Sequence, residues 1–132
     1  MLFTKESDYA IRVVRALKKG EKLNIRQVCA KEEIPEAFAY KIMQKLNRAG
    51  IVSIVRGAGG GYLLKRPVQE LTLYDVVTAI EPDFAVMECI HHFCSHNSEE
   101  NRCKVHHELL QIQKCVEAML KEKTLYNILE EE

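Results

Sequence analysis

The chain reads as a mainly α-helical protein with one small β-hairpin and a long C-terminal helix. Three observations predict this. Between Ile34 and Leu64 a helical pattern gives way to two short β-branched or aromatic runs, Ile51–Val55 and Tyr62–Leu64, around a glycine-rich turn. From Asp83 to Arg102 the periodicity fades and cysteines and histidines gather. From Cys103 to Lys123 helical spacing returns, with Val105, Leu109, Ile112, Val116, Met119 and Leu120 apolar.

In order, Phe3 to Lys19 forms a first helix that buries Ala10, Val13, Val14 and Leu17. Thr4 or Ser7 can cap it, Asp8 suits its positive end, and Gly20 closes it. Asn24 caps a short second helix, Ile25 to Lys31, which buries Ile25, Val28 and Cys29. After the turn Glu32-Glu33-Ile34, Pro35 fits the first turn of a third helix, where its missing N–H costs nothing. Phe38, Ile42 and Leu46 make that helix's apolar stripe. Lys41, Lys45 and Arg48 lie off the stripe and can face an anion, and Gly50 ends the helix. Pro67 marks a break. Thr72 then caps a fourth helix with Leu73, Val76, Val77 and Ile80 on its apolar face, ended by Glu81-Pro82. Thr124 to Leu129 adds a terminal turn.

Helix, tight turn, basic helix and a hairpin with a basic glycine-rich tip make up the winged helix-turn-helix plan, which suits double-stranded DNA. The net charge of zero by itself opposes this, but the halves differ. Residues 1–66 hold 14 Lys and Arg against 6 Asp and Glu, a balance of +8; residues 67–132 hold 5 against 13, a balance of −8. The basic half suits phosphates, and the acidic half must sit away from the duplex. The turn Arg56-Gly57-Ala58-Gly59-Gly60-Gly61 is no nucleotide-phosphate loop, because strands flank it where such a loop needs a following helix. No nucleophile and base pair up elsewhere, so an enzyme is not expected. The apolar fraction of 47% allows a real core. No apolar run approaches a membrane span and no signal peptide opens the chain, so the expected location is the cytoplasm, with no membrane partner.

Five cysteines are present, and Cys89, Cys94 and Cys103 fall within 15 residues. In a reducing compartment such clusters serve metal or redox chemistry more often than structural disulfides. Three soft ligands suit an iron–sulfur cluster or zinc, and unliganded redox thiols are the alternative. Cys103 opens a helix, where N–H groups favour a thiolate, and His106 and His107 follow within one turn. Cys115 lies about 18 Å further along the same helix and cannot share the centre. Cys29 reads as a core thiol. Twenty structureless residues in a compact domain need something to order them, and a metal centre would do so.

Thr4-Lys5-x-x-Asp8-Tyr9-Ala10-x-Arg12, Ile34-Pro35, Arg56-Gly57-x-Gly59-Gly60-Gly61-Tyr62, Leu71-Thr72-Leu73-x-Asp75-Val76-Val77, the cysteines and Thr124-Leu125 follow one another in an order that resembles the Rrf2 family of bacterial winged-helix regulators. The likeness covers essentially the whole chain. It implies a homodimer joined through the C-terminal helix and bound to pseudo-palindromic promoter DNA. It also implies a [2Fe-2S] or [4Fe-4S] cluster on Cys89, Cys94 and Cys103. The fourth ligand matches His106 in the IscR-like branch and Asp8, offered by the other subunit, in the NsrR-like branch. Asp83-Phe84 and Glu88-Cys89 resemble the latter branch, Gly61-Tyr62-Leu63-Leu64 the former. The positions matching the family's DNA contacts are Ala37, Tyr40 and Lys41 on the reading helix, beside Lys45, and Arg56 and Gly57 at the wing.

The expected organisation is a DNA-binding unit over 1–82, a cysteine-bearing sensor loop over 83–102, and a dimerisation helix with its terminal turn over 103–132. The leading expectation is a homodimeric repressor controlled by an iron–sulfur cluster that senses cluster status, redox state or nitric oxide. Two other readings use the same residues: a cluster-free regulator controlled by a partner enzyme or thiol chemistry, and a constitutive DNA binder with a structural zinc.

Overall fold

A computed structural model describes residues 3–130. Helices α1 (Lys5–Ala16), α2 (Ile25–Glu32) and α3 (Glu36–Arg48) precede the hairpin of β1 (Val52–Val55) and β2 (Gly61–Leu64). Then come α4 (Leu73–Ile80), a 3-10 turn at Glu88–Ile90, α5 (Lys104–Glu122) and α6 (Leu125–Leu129). The caps are where short polar side chains put them. Thr4, Asn24, Thr72 and Thr124 each accept a backbone N–H three residues on, and Gln27 and Asp75 complete capping boxes. Pro35 is the N-cap of α3 and so stands one position ahead of the first turn expected for it.

One core joins α1, α2, α3, the hairpin and α4 through Val13, Val14, Leu17, Ile42, Leu46 and Val76 among others. In α3 the buried stripe is Ala39, Ile42, Met43 and Leu46. Phe38 corrects the expected stripe: it is 46% exposed and leans on Tyr9 of α1, their ring centroids 5.7 Å apart. A 3.6-residue period places position 38 on the flank of α3, and the alanine and methionine have the buried places. Cys29 is half-buried rather than fully enclosed. Burial, with Glu36 as the lesser cause, pushes its thiol pKa up and keeps it protonated.

The turn between α2 and α3 places Glu33 in the left-handed region at φ 56°, an uncommon conformation for a residue with a Cβ. Buried Glu32 beside it takes a salt bridge from Arg15, 2.6 Å at its shortest, and its carbonyl accepts from Arg12 at 3.0 Å. These contacts fix the angle between α1 and α2.

The hairpin is antiparallel, with Val52 opposite Leu64 and Val55 opposite Gly61. Leu23 adds a short third bridge to Tyr62, exchanging N–H···O bonds of 2.9 and 2.7 Å. Helix α6 returns to the winged unit: Leu125 is buried in its core and donates to the Leu71 carbonyl at 2.7 Å. The terminal turn assigned by sequence to the dimerisation segment thus shares its core with residues of 1–82. Among the described residues no helix is long and apolar enough to cross a membrane.

Candidate nucleic-acid interface and metal centre

Two faces stand out. The first is formed by α3 and the hairpin tip. Ala37, Tyr40 and Lys41 are exposed along α3, and Arg56 and Gly57 are exposed at the tip. Tyr40, Arg56 and Gly57 line one groove of about 310 Å³, so helix and wing present a common side. Tyr62 also lines the groove; burial pushes its hydroxyl pKa up, Tyr40 adds to this, and Arg56 opposes it. The tip is shaped by its glycines. Gly57 and Gly59 adopt φ of +94° and +74°, which favour residues without a Cβ. A Cβ on Gly60 would collide with the Val55 carbonyl, and one on Gly61 would sit 2.6 Å from the Leu23 carbonyl oxygen.

Lys41 and Lys45 are less free than the sequence suggests. Glu6, in the first turn of α1, pairs with both: Lys41 Nζ lies 2.7 Å from Oε1 and Lys45 Nζ 2.7 Å from Oε2. These bonds, Lys41's first, hold the Glu6 carboxyl below the usual carboxylate range. Sequence periodicity gave no hint of Glu6, because the contact joins residues 39 positions apart.

The second face is the cysteine loop. Cys89, Cys94 and Cys103 line one cavity of about 560 Å³ together with His96, Arg102 and His106. All five cysteines are free thiols. Cys103 is the N-cap of α5; its Sγ accepts the His106 N–H at 3.4 Å, and its own N–H is fixed on Asn97 Oδ1 at 2.9 Å. His106 Nδ1 is buried and has no hydrogen-bond partner. A buried imidazole nitrogen left unsatisfied is costly and invites a ligand. Donor types, shared cavity and orphaned nitrogen thus fit a thiolate-held inorganic centre. Among the described residues no three Cys, His, Asp or Glu side chains yet converge on one metal-ion point. Asp8 stands apart from the cavity on α1, 3.2 Å from Arg12 Nε. Cys115 is exposed on α5 and does not line it.

The loop is tied to α5 by a residue that belongs to none of the sequence motifs. Gln113 is 2% exposed; Oε1 accepts the Val86 N–H at 2.7 Å, and Nε2 donates to the Phe84 carbonyl at 3.0 Å. Its signal was a polar residue set among Leu109, Ile112 and Val116.

These elements define a winged helix-turn-helix protein with a thiol-rich appendage. The chain belongs to the Rrf2 family, described as iron-dependent transcriptional regulators, whose model matches residues 3–131. That is a family of regulators, not of enzymes. Protein aau3 of Rhizobium meliloti is 44% identical over 91 residues, covering 67% of this chain and 59% of its own length. The regulator NsrR of Bacillus subtilis is 33% identical over 92 residues, covering 67% and 63%. The chain therefore spans about three-fifths of these two relatives. NsrR of Oceanobacillus iheyensis is 27% identical over 135 residues, covering 100% of this chain and 92% of its own. Among solved structures, the cysteine regulator CymR of B. subtilis superposes with a TM-score of 0.78 at 17% identity, covering 98% of this chain and 97% of its own. T. potens IscR gives 0.73 at 18%, covering 97% and 85%. These likenesses show the fold.

Proposed function

We propose that this chain is a cytoplasmic homodimeric repressor whose hold on pseudo-palindromic promoter DNA is governed by an iron–sulfur cluster. The N-terminal part of α3, with Ala37, Tyr40 and Lys41, enters the major groove, and Lys45 contacts backbone phosphate. Arg56 reaches a narrow minor groove, whose negative potential favours arginine, and Gly57 lets the backbone approach. Cys89, Cys94 and Cys103 hold the cluster, with His106 or Asp8 of the partner subunit as fourth ligand. A cluster of either nuclearity, [2Fe-2S] or [4Fe-4S], supplies iron that oxidants and nitric oxide attack. Residues 83–102 form the sensor, placed between the winged unit of 1–82 and the dimer helix within 103–132. Subunits meet along α5, where Val105, Leu109, Ile112, Val116 and Met119 recur at alternating spacings of four and three. Met119 is 72% exposed and Val105 66%, apolar surface that a second copy would cover.

The observation that carries the cluster reading is the single cavity shared by three cysteines and the unpartnered His106 Nδ1. Anaerobic purification with iron, acid-labile sulfide and visible-absorption measurements tests it. Iron, sulfide and a charge-transfer band that vanish in Cys89→Ala, Cys94→Ala or Cys103→Ala are expected. Zinc without sulfide would select a structural-zinc DNA binder instead. A second reading, control by a docked partner enzyme or by thiol chemistry, draws support from Phe93, which stands 88% exposed between Cys89 and Cys94. Stoichiometric co-purification of an enzyme with cluster-free protein would favour it.

A further inference from the structure

Glu6 lies where DNA-binding charge is needed and carries the wrong sign. Its two carboxylate oxygens each take one lysine of α3, Lys41 and Lys45, at 2.7 Å. Those lysines are four residues apart and so share one helix face. Two ammonium groups on two oxygens of one anion is the arrangement that a backbone phosphate would offer them.

Fold stability gives a poor account of this contact. Lys41 remains 57% exposed in the pair, and an exposed ion pair contributes little. Glu6 itself sits in the first turn of α1, where the helix dipole favours a carboxylate. From there it reaches across to α3 and meets both lysines. Of the cations on the described face of α3, Arg48 is exposed and joins no acidic side chain, whereas the two lysines are tied down.

We propose that Glu6 is an internal stand-in for DNA phosphate, which Lys41 and Lys45 must exchange for the duplex backbone, so that this one residue sets the affinity and salt dependence of binding. The proposal rests on the DNA-binding reading above. Its logic is charge counting: lysines already neutralised release fewer counterions from DNA than free ones. The electrostatic part of binding is independent of sequence, so the effect is visible on any duplex.

The test is a fluorescence-anisotropy titration of the full chain against a dye-labelled, mixed-sequence DNA duplex over a series of KCl concentrations. Glu6→Gln should bind several-fold more tightly than wild type at low salt, with a log Kd against log salt slope steeper by about one to two. The gain should disappear when Lys41 and Lys45 are both changed to Met in the Glu6→Gln background. Glu6→Ser, which also suits a first helical turn, gives the same comparison should the glutamine variant fail to fold. A charge-free variant that stays folded, as its circular-dichroism spectrum reports, yet shows wild-type affinity and slope would overturn the proposal. Persistence of the gain without the two lysines would overturn it too. If wild type itself binds no duplex at any salt, the DNA-binding reading falls and takes this inference with it.

Discussion

Gln113 holds Phe84 from across the sensor loop: its Nε2 donates to the Phe84 carbonyl at 3.0 Å, while its Oε1 takes the Val86 N–H at 2.7 Å. Phe84 is buried and stacks on Phe3, their ring centroids 5.4 Å apart. The entrance to the cysteine loop, the start of the chain and the long helix are thereby joined at one point. Further along α5, Lys121 lies 4.2 Å over the Tyr74 ring of α4.

Gln113→Leu keeps the volume and removes these two hydrogen bonds and a third, to Glu117 Oε1 at 3.0 Å, so that the Val86 N–H loses its acceptor and the Phe84 carbonyl is left to His91 Nε2 at 3.3 Å. A loss of about 2–3 kcal/mol in urea denaturation is expected. Limited proteolysis should also cut faster within residues 85–102. Unchanged stability and cleavage would show that the glutamine does not anchor the loop.

Arg15→Met leaves Glu32 buried with its charge uncompensated. Because Arg15 is itself partly exposed, the expected loss is about 2–3 kcal/mol, below that of a fully buried pair. A smaller loss in the double variant Arg15→Met, Glu32→Leu would confirm that the stranded charge is the cause. A double variant as unstable as the single one would contradict it.

Acidification should act through Glu6. Its pKa lies below the ordinary carboxylate range in the fold, so the stability from its charge is complete above that range. It is lost as pH falls through the lowered value. The difference in melting temperature between wild type and Glu6→Gln should therefore be constant near neutrality and shrink in acid. A difference that grows on acidification would contradict the ion pairs with Lys41 and Lys45.

The wing makes a separate prediction. Arg56→Ala should weaken binding to a duplex selected in vitro for affinity by about 1–3 kcal/mol, with the loss concentrated on A·T-rich flanks. Gly61→Ala should produce a similar loss by a different route, since its Cβ would force the Leu23 carbonyl away and open the bridge to Tyr62. Equal affinity for both variants and wild type would remove the hairpin tip from the interface.

Much of this was legible because it depends on local rules. Thr4, Asn24 and Thr72 declare helix starts through short-range bonds, and Arg56 to Gly61 encodes a tight tip through backbone geometry. Phe38 misled because a large apolar residue at helical spacing looks like core, whereas the smaller Ala39 fits the close approach of α3 to the core. The Glu6 pairs and the Gln113 clamp join residues far apart in sequence, and no periodicity encodes such contacts. That Leu125 returns to the winged core was hidden for the same reason: the whole length of α5 intervenes.

In the proposed function a thiolate-held cluster governs the grip of α3 and the wing on DNA. Its most direct test is the anaerobic dissociation constant for an in-vitro-selected duplex, measured on cluster-loaded protein before and after the cluster is removed with nitric oxide. Affinity should fall at least tenfold on removal, and a Cys103→Ala variant should begin at the weaker value. Equal affinity in both states would contradict it.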